Sequence, residues 1–237
     1  MTNWKGYGEA KFVGLTNFIS FFSDKRAVND MLHTLQFGLL TPLLMNILGL
    51  AYALLLDEKL KGRGIARVIV YLPAIISPLI IGYVWLIVLR KDGGALHDIM
   101  KAMGLGAYFK QWLSSPKNAM TVVILVNVWQ KVGSVMIIYL AGMQSIPQEL
   151  YEVANMDGAS GQQRFRYITL PLLIPSIKIN VITNMISFLC AMDSIVALTD
   201  GGPGYSTETL SLFIYRMTYG SNTGYATAVA LTQKKKL

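Results

Sequence analysis

Polar side chains recur inside two strongly apolar stretches of this sequence, at about 119 to 142 and about 179 to 198. The strongest candidates to bind a solute are Asn127, Gln130, Lys131, Ser134, Asn184 and Ser187. On each stretch these residues recur at helical spacing, so each set forms a polar stripe on a helix. Amide, ammonium and hydroxyl groups donate hydrogen bonds to the hydroxyls of a solute, so one interpretation is a solute path. Contacts between helices inside a membrane are the equal alternative.

Residues with the chemistry of enzymes are sparse in this chain. Cys190 is the single cysteine, and His33 and His97 are far apart with no cluster of Cys, Asp or Glu around them. This pattern excludes a disulfide framework and argues against a zinc site. The apolar runs also lack the paired nucleophile and base, or the carboxylate pair, of an intramembrane enzyme. We therefore predict no catalytic residue, no bound metal and no cofactor in this chain.

Composition points to a membrane environment. The chain has 237 residues, of which 53% are hydrophobic and 14% are charged, whereas an average soluble domain has roughly 25% charged residues. The formal charge of +8 comes from Lys and Arg residues that lie mostly between the apolar runs. No basic stripe with interleaved aromatic residues appears on a polar segment, so nucleic-acid binding is not expected.

Four apolar runs have the length of spanning helices. They are about 34 to 56, 68 to 89, 119 to 142 and 179 to 198. Pro42, Pro73 and Pro78 lie inside them and predict bends, which neighbouring helices can tolerate in lipid. Lys131 would cost on the order of 2.5 to 3.5 kcal/mol in lipid, so it should face a cavity or a partner helix. We predict an all-α fold: a polytopic membrane helix bundle with four complete spans and a fifth, begun by residues 225 to 231, that is cut short.

The loops suggest an orientation. The loop from 57 to 67 carries Lys59, Lys61, Arg63 and Arg67, and such residues favour the cytoplasmic side of a membrane. Alternation then places the other loops: 1 to 32, 90 to 118 and 199 to 224 outside, and 143 to 178 inside.

The inner loop at 145 to 171 is strongly patterned. Pro147 suits the first turn of a helix, and Gly158 can take the left-handed conformation that closes it. Ser160 and Gln163 then form a capping box that begins a second helix, which Pro171 and Pro175 bound. This helical elbow suits docking into a groove on a soluble partner. An amphipathic segment lying flat on the lipid headgroups is the alternative from pattern alone.

The elbow carries a recognisable motif. It reads Glu152-Val153-Ala154, three residues, Gly158, nine residues and then Ile168-Thr169-Leu170-Pro171. This resembles the EAA loop of binding-protein-dependent ABC importer permeases, whose pattern is E-A-A-x3-G-x9-I-x-L-P. Val153 departs from it, since the family usually has alanine there. The surrounding residues, Asp157 to Ser160, Phe165 and Ile168 to Pro175, are similar to the carbohydrate-uptake branch of the maltose and glycerol-phosphate permease type.

The resemblance covers about Phe12 to Val229 and implies a permease with a six-helix core. Relative to that core, the chain is expected to lack the first helix and to be clipped in the last. The implied domains are an external N-terminal segment at 1 to 32, a transmembrane permease domain at 33 to 231 that contains the cytoplasmic coupling loop 145 to 171, and a basic tail at 232 to 237.

The implied function is membrane passage of a sugar or sugar-like solute in a bacterial inner membrane. The implied partners are a second homologous permease, two ATPase subunits that bind the ATP, an extracellular solute-binding protein and the lipid bilayer. Glu152, Ala154, Asp157 and Gly158 match the coupling positions of the family. For Glu152, pairing with a nearby arginine is the structural alternative. The rival function is a secondary transporter driven by an ion gradient, with Asp193 and Lys131 as its coupling charges.

Overall fold

A computed structural model describes residues 2–57, 62–109 and 111–234. Within those ranges the chain is helical, and its extended pairing amounts to one isolated bridge between Thr2 and Phe12. The longer helices are α1 (Thr16–Ser23), α2 (Lys25–Asp57), α3 (Arg63–Ile75), α4 (Pro78–Val88), α5 (Ala95–Ala102), α6 (Pro116–Gln144), α7 (Gln148–Met156), α8 (Gly161–Arg164), α9 (Leu170–Leu172), α10 (Ile174–Leu189), α11 (Asp193–Leu198), α12 (Leu210–Tyr219) and α13 (Thr223–Lys234). The predicted all-α fold is confirmed.

Two of these helices, α2 and α6, are long and apolar enough to cross a membrane. Two further candidate spans result if α3 with α4, bent by 98°, and the run Gly161–Leu172 with α10, bent by 61°, are each counted as one broken crossing rather than as a re-entrant loop. The four predicted runs therefore correspond to four candidate spans. Their bounds differ, since α2 already begins at Lys25 and α13 continues to Lys234, within the segments predicted as external and as tail.

The predicted fourth run, 179 to 198, is wrong as one continuous helix. The structure ends α10 at Leu189, leaves residues 190 to 192 outside any helix and begins α11 at Asp193. Met192 has φ −133° and ψ −41°, which lies outside the helical range, and Asp193 falls in the first turn of α11. Hydropathy gives no sign of this break because apolar side chains continue through it.

Basic residues close the C-terminal end of α2. Arg63 donates to the carbonyl of Asp57 at 3.2 Å, and Arg67 donates to the carbonyl of Leu56 at 2.6 Å. Cations stabilise helix C-termini because the last carbonyls lack partners within the helix. Lys59 and Lys61, which contributed to the predicted orientation, lie outside the described residues, and the orientation stays a prediction.

Contacts divide the chain into two compact units. The first contains Met1–Leu40, Pro78–Asn127 and Ile186–Leu237, and the second contains Thr41–Ser77 and Val128–Met185. The core of the first unit joins α1, α2, α12 and α13 through the side chains of Phe21, Ala27, Leu210, Phe213 and Val229.

In the second unit, small residues let helices approach each other. A Cβ atom on Gly133 of α6 would lie 2.6 Å from the Cα atom of Tyr71 in α3. Such a distance is well inside van der Waals contact, so only glycine fits there. A Cβ atom on Gly49 of α2 would lie 2.6 Å from Cγ1 of Val135.

Candidate functional site

The helical elbow has the predicted local structure. Helix α7 ends at Met156, and Gly158 has a φ of +75°, the left-handed conformation that glycine adopts with little strain. The capping box is present: Ser160 Oγ accepts a hydrogen bond from the backbone N–H of Gln163 at 3.3 Å, and Gln163 Oε1 accepts one from the backbone N–H of Ser160 at 2.7 Å. The prediction of a helix, a tight turn and a second helix is therefore confirmed.

The second helix of the elbow ends between Pro171 and Pro175, as predicted. The helical run continues through Leu172, and α10 begins at Ile174. Just before Pro171 the helix widens into a π-turn at Phe165–Thr169. A π-turn changes the hydrogen-bond register, so a residue without an N–H follows it without ending the helix.

Two side-chain pairs brace the arms of the elbow against each other. Tyr151 of α7 hydrogen-bonds Thr169 of the π-turn, with 2.9 Å between the two side-chain oxygens. Arg164 of α8 donates to Oδ1 of Asn155 at 2.6 Å. These two hydrogen bonds connect the helices on either side of the turn.

The outer surface of the elbow combines one carboxylate with apolar side chains. Val153 is 53% exposed and Met156 is 83% exposed, and Glu152 is also exposed while Ala154 is half-buried. None of the ion pairs among the described residues includes Glu152. Its predicted alternative, a pairing with a nearby arginine, is therefore not formed here, since Arg164 bonds Asn155 instead. Exposed apolar residues around a charge suit a groove on a partner protein.

Asp157 and Gly158 occupy the turn itself. Both are exposed, and no heavy atom lies within 4 Å of the point where a Cβ atom on Gly158 would stand. The turn is therefore open on its outer side. What Gly158 contributes inside this chain is its backbone conformation.

Gln130 and Lys131 lie against the break between α3 and α4. Gln130 Nε2 donates to the Ile76 carbonyl at 2.9 Å, and Lys131 Nζ donates to the Ala74 carbonyl at 3.2 Å. These carbonyls belong to the end of α3, where Pro78 prevents the helix from continuing and leaves acceptors without helical partners. Gln130 and Lys131 are called the α3 cap below. The close approach of α3 to Gly133 places the end of α3 within hydrogen-bonding distance of both side chains.

Three of the other predicted polar residues bond to their own helices. Asn127 donates to the Val123 carbonyl at 2.8 Å, Ser134 to the Lys131 carbonyl at 2.6 Å, and Asn184 to the Asn180 carbonyl at 2.7 Å. Ser187 is exposed on α10. Of the six candidates, the structure brings Gln130 and Lys131 together on one target. Their contacts join helices within one chain, and the lining of a solute path stays a prediction.

A second set of hydrogen bonds in the same unit has partners that the sequence did not predict. The Tyr139 hydroxyl of α6 donates to Oδ1 of Asn46 in α2 at 2.5 Å, and Asn180 of α10 donates to the Val135 carbonyl of α6 at 3.3 Å. In a membrane, apolar side chains are as stable against lipid as against another helix, so apolar burial does not drive helices together. Hydrogen bonds of this kind then help to hold the helices in contact. Asn46 and Asn180 interrupt apolar runs in the sequence, which is the signal that marks them.

Glu208 was also missed. Its side chain is fully buried and binds Arg26 of α2 and Arg216 of α12, each at 2.7 Å. Arg216 also binds Asp200 at 2.9 Å, and the Arg26 guanidinium lies 3.8 Å from the ring centre of Tyr205. These pairs hold the loop from Thr199 to Thr209 onto two helices of the first unit. No local pattern predicts this network because the partners are far apart in the sequence.

Long apolar helices, a capped break between α3 and α4 and an exposed helical elbow are the features of a polytopic membrane protein. Residues 45–232 match the family of the binding-protein-dependent transport system inner membrane component, and the chain belongs to this family. This confirms the resemblance to ABC importer permeases and the expectation of a transport protein with no enzymatic activity of its own.

Relatives agree along most of the chain. The trehalose/maltose transport system permease protein MalF of Thermococcus litoralis is 35% identical over 223 residues, which cover 94% of this chain and 75% of MalF. The sn-glycerol-3-phosphate transport system permease protein UgpA of Agrobacterium fabrum is 32% identical over 209 residues, covering 87% of this chain and 70% of UgpA.

A solved structure shows the same fold. It is a bacterial ABC transporter involved in the import of the acidic polysaccharide alginate, and one of its chains superimposes with a TM-score of 0.85 at 27% identity, covering 96% of this chain and 80% of that chain. A bacterial alginate ABC transporter in complex with an alginate pentasaccharide-bound periplasmic protein gives a TM-score of 0.84. Nothing in these comparisons favours the ion-coupled alternative.

Proposed function

We propose that this chain is a permease subunit of an ATP-driven importer for a saccharide or a saccharide-like solute. The observation that carries the proposal is the family match together with the relatives, whose names refer to trehalose and maltose, to glycerol 3-phosphate and to alginate. The solute passes through the bundle, while ATP is bound and hydrolysed by other subunits. The chain thus supplies a path for the solute and a surface, the elbow, that transmits movement of the ATPase to the membrane helices.

The proposed assembly lies in a bacterial inner membrane. It pairs this chain with a second homologous permease, two ATPase subunits and an extracellular solute-binding protein. The solved alginate importer supports this assembly because it was captured with a periplasmic protein that carries the saccharide.

The elbow is the proposed lever. Val153 and Met156 provide exposed apolar anchors for a groove on the ATPase, Glu152 offers a carboxylate to a basic group there, and Gly158 makes the turn. The helical run from Gly161 to Leu172 leads directly to α10. A displacement of the braced elbow is therefore passed to α10 rather than absorbed by a flexible loop.

The elbow and the α3 cap belong to the same compact unit. Within that unit, Asn180 joins α10 to α6, and the α3 cap joins α6 to α3. A movement of α10 therefore has a hydrogen-bonded route to the break in α3. A lysine ammonium has three donors, so Lys131 can bond the Ala74 carbonyl and still donate to a solute hydroxyl.

Transport in reconstituted vesicles tests the proposal. The chain is purified with its partner subunits, placed in proteoliposomes and offered labelled trehalose, maltose, glycerol 3-phosphate and alginate oligosaccharide with the binding protein. Uptake of at least one solute should require ATP on the ATPase side. Uptake driven by a proton or sodium gradient without ATP would contradict the proposal.

A matched pair of variants tests the elbow in that assay. Glu152→Ala removes the exposed carboxylate of the elbow surface, whereas Glu149→Ala removes an exposed carboxylate from the first turn of the same helix. A hydrogen bond to a charged group contributes about 1.5 to 3 kcal/mol, so loss of Glu152 should weaken ATPase binding by about tenfold or more. Equal effects of the two variants would count against a specific role for Glu152.

A further inference from the structure

The segment between α4 and α6 contains a helix with three distinct sides. On α5 and the residue that follows it, Ile99 and Met103 are 57% and 68% exposed and lie about 40° apart around the axis. Asp98 and Lys101 are also exposed, and they lie roughly 150° away from the first pair. The exposed surface is thus divided lengthwise into an apolar flank and a charged flank.

The third side of α5 packs on protein. The His97 ring lies 5.1 Å from the ring of Phe109, which lies 5.5 Å from the ring of Trp112. Phe109 is 8% exposed, and α5 also contacts α4. Because this side is held, the directions of the apolar and charged flanks are fixed by the fold.

The apolar flank continues along the chain beyond the helix. Leu105 is 42% exposed and Tyr108 is 72% exposed. A tyrosine with an exposed ring is typical of the boundary between acyl chains and headgroups. These residues, together with Ile99 and Met103, are called the apolar flank below.

The position of the segment selects its partner. It connects α4, the second helix of a candidate span that is bent by 98°, to α6, a candidate span. With the α3–α4 pair counted as one crossing, both ends of the segment lie at a membrane surface. On α4 the side chains of Val84 and Ile87 are 49% and 57% exposed, as expected for a lipid-facing surface that leads towards α5.

The charges around the segment fit the same partner. Its exposed basic residues in the described ranges are Arg90, Lys91 and Lys101, and its exposed acidic residues there are Asp92 and Asp98; Lys117, also exposed, follows in the first turn of α6. An excess of basic groups beside an apolar flank is typical of helices that lie in the interface of a membrane with anionic lipids.

We propose that α5 and residues 103 to 108 lie in the headgroup region of the bilayer. The apolar flank inserts among the upper acyl chains, Asp98 and Lys101 face water, and His97 and Phe109 hold the helix to the rest of the unit. The ligand is the phospholipid bilayer itself. This inference does not depend on which solute is transported or on how ATP hydrolysis is coupled.

Spin labels at single cysteines test this placement. On a Cys190→Ser background, Ile99→Cys and Met103→Cys are compared with the matched variants Asp98→Cys and Lys101→Cys, all at exposed positions. The chain is placed with its partner subunits in vesicles of phosphatidylcholine and phosphatidylglycerol. Relaxation by oxygen, which concentrates in lipid, is compared with relaxation by a water-soluble nickel chelate.

The ratio of oxygen to nickel relaxation should be several-fold higher at 99 and 103 than at 98 and 101. Equal ratios at the four positions would overturn the proposal. A second result would also overturn it: strong relaxation by the nickel chelate at position 99 that is lost when the solute-binding protein is added. That result would assign the flank to contact with the solute-binding protein. Low access of both reagents at 99, as in a permanent protein contact, would overturn it as well.

A second measurement guards against a disturbed fold. Ile99→Trp and Asp98→Trp place the same large side chain on opposite flanks, and lipids brominated near the headgroup quench nearby tryptophans. Only the increment in quenching from Ile99→Trp should be large. Equal increments would again overturn the placement.

Discussion

Substitutions at Gly158 test whether coupling depends on the backbone conformation of the elbow or on the free space outside its turn. At φ +75° an alanine is strained, and the left-handed conformation costs an L-residue roughly 1 to 2 kcal/mol. No heavy atom of the chain lies within 4 Å of the added Cβ atom, so strain is the whole intramolecular cost. Such a cost changes a conformational ratio by about 5- to 30-fold. Gly158→Ala should therefore lower solute uptake per ATP hydrolysed by up to that factor.

Two further substitutions at the same position divide the causes. Asparagine tolerates the left-handed conformation better than alanine, so Gly158→Asn should lose less coupling if strain alone matters. Gly158→Leu adds bulk on the open side of the turn, where the ATPase is proposed to approach. It should leave the protein in the membrane and uncouple ATP hydrolysis from uptake more strongly than Gly158→Ala.

Gly104 supplies the control. It also has a φ of +75°, and no heavy atom lies within 4 Å of the position that a Cβ atom on it would take, but it lies in the segment between α4 and α6. Gly104→Ala should therefore have the same local strain and nearly unchanged uptake per ATP, measured in proteoliposomes at equal protein content. Normal coupling in Gly158→Leu, or an equal loss in Gly104→Ala, would refute the reasoning.

Three stability predictions follow from the buried contacts between helices. Gln130→Leu leaves the Ile76 carbonyl without its donor and should lower the free energy of unfolding by about 1 to 3 kcal/mol, measured by thermal unfolding in detergent. Asn127→Leu should lower it less, because the acceptor of Asn127 lies within its own helix. Equal losses in the two variants would contradict the capping role of Gln130. Gly133→Val should abolish the close approach of α3 and sharply reduce folded protein by size-exclusion chromatography, so a normal yield would contradict that packing. Glu208→Ala leaves Arg26 without its carboxylate partner, while Arg216 keeps Asp200. Because both arginines are partly exposed, the loss should exceed about 1 kcal/mol but stay below the roughly 3 to 5 kcal/mol of a fully buried pair, a loss below about 1 kcal/mol being the contrary result.

The elbow could be predicted from the sequence because its determinants are local. Gly158 ends one helix and the capping box of Ser160 and Gln163 begins the next, and each acts within three or four residues. The π-turn before Pro171 could not be predicted, since proline usually ends a helix and no pattern in the side chains marks the wider turn.

The polar stripe of α6 shows the limit of periodicity. Helical spacing correctly grouped Gln130 and Lys131, but it does not identify what they face. Their acceptors at Ile76 and Ala74 are more than fifty residues away in the sequence. The carbonyls are available as acceptors because Pro78 prevents α3 from continuing into α4. Predicting the role of Gln130 and Lys131 therefore requires knowing where α3 ends and that α6 packs beside it.

Glu208 marks the same limit for charges. In the sequence it stands between two threonines after a glycine-rich turn, which indicates an exposed loop. The fold instead buries it between Arg26 and Arg216. Long-range pairing of this kind overrides the local expectation for a carboxylate.

Crosslinking from the elbow tests the central claim, that this surface is held by a nucleotide-hydrolysing partner. On a Cys190→Ser background, Val153→Cys places a thiol-reactive crosslinker on the exposed side of α7, and Ala102→Cys places it on α5 as a control. In native membranes, Val153→Cys should capture an ATPase subunit, with a yield that changes when ATP is added, while Ala102→Cys should not. Capture of no ATPase from Val153→Cys, at normal abundance of the permease, would contradict the role of the elbow as a lever.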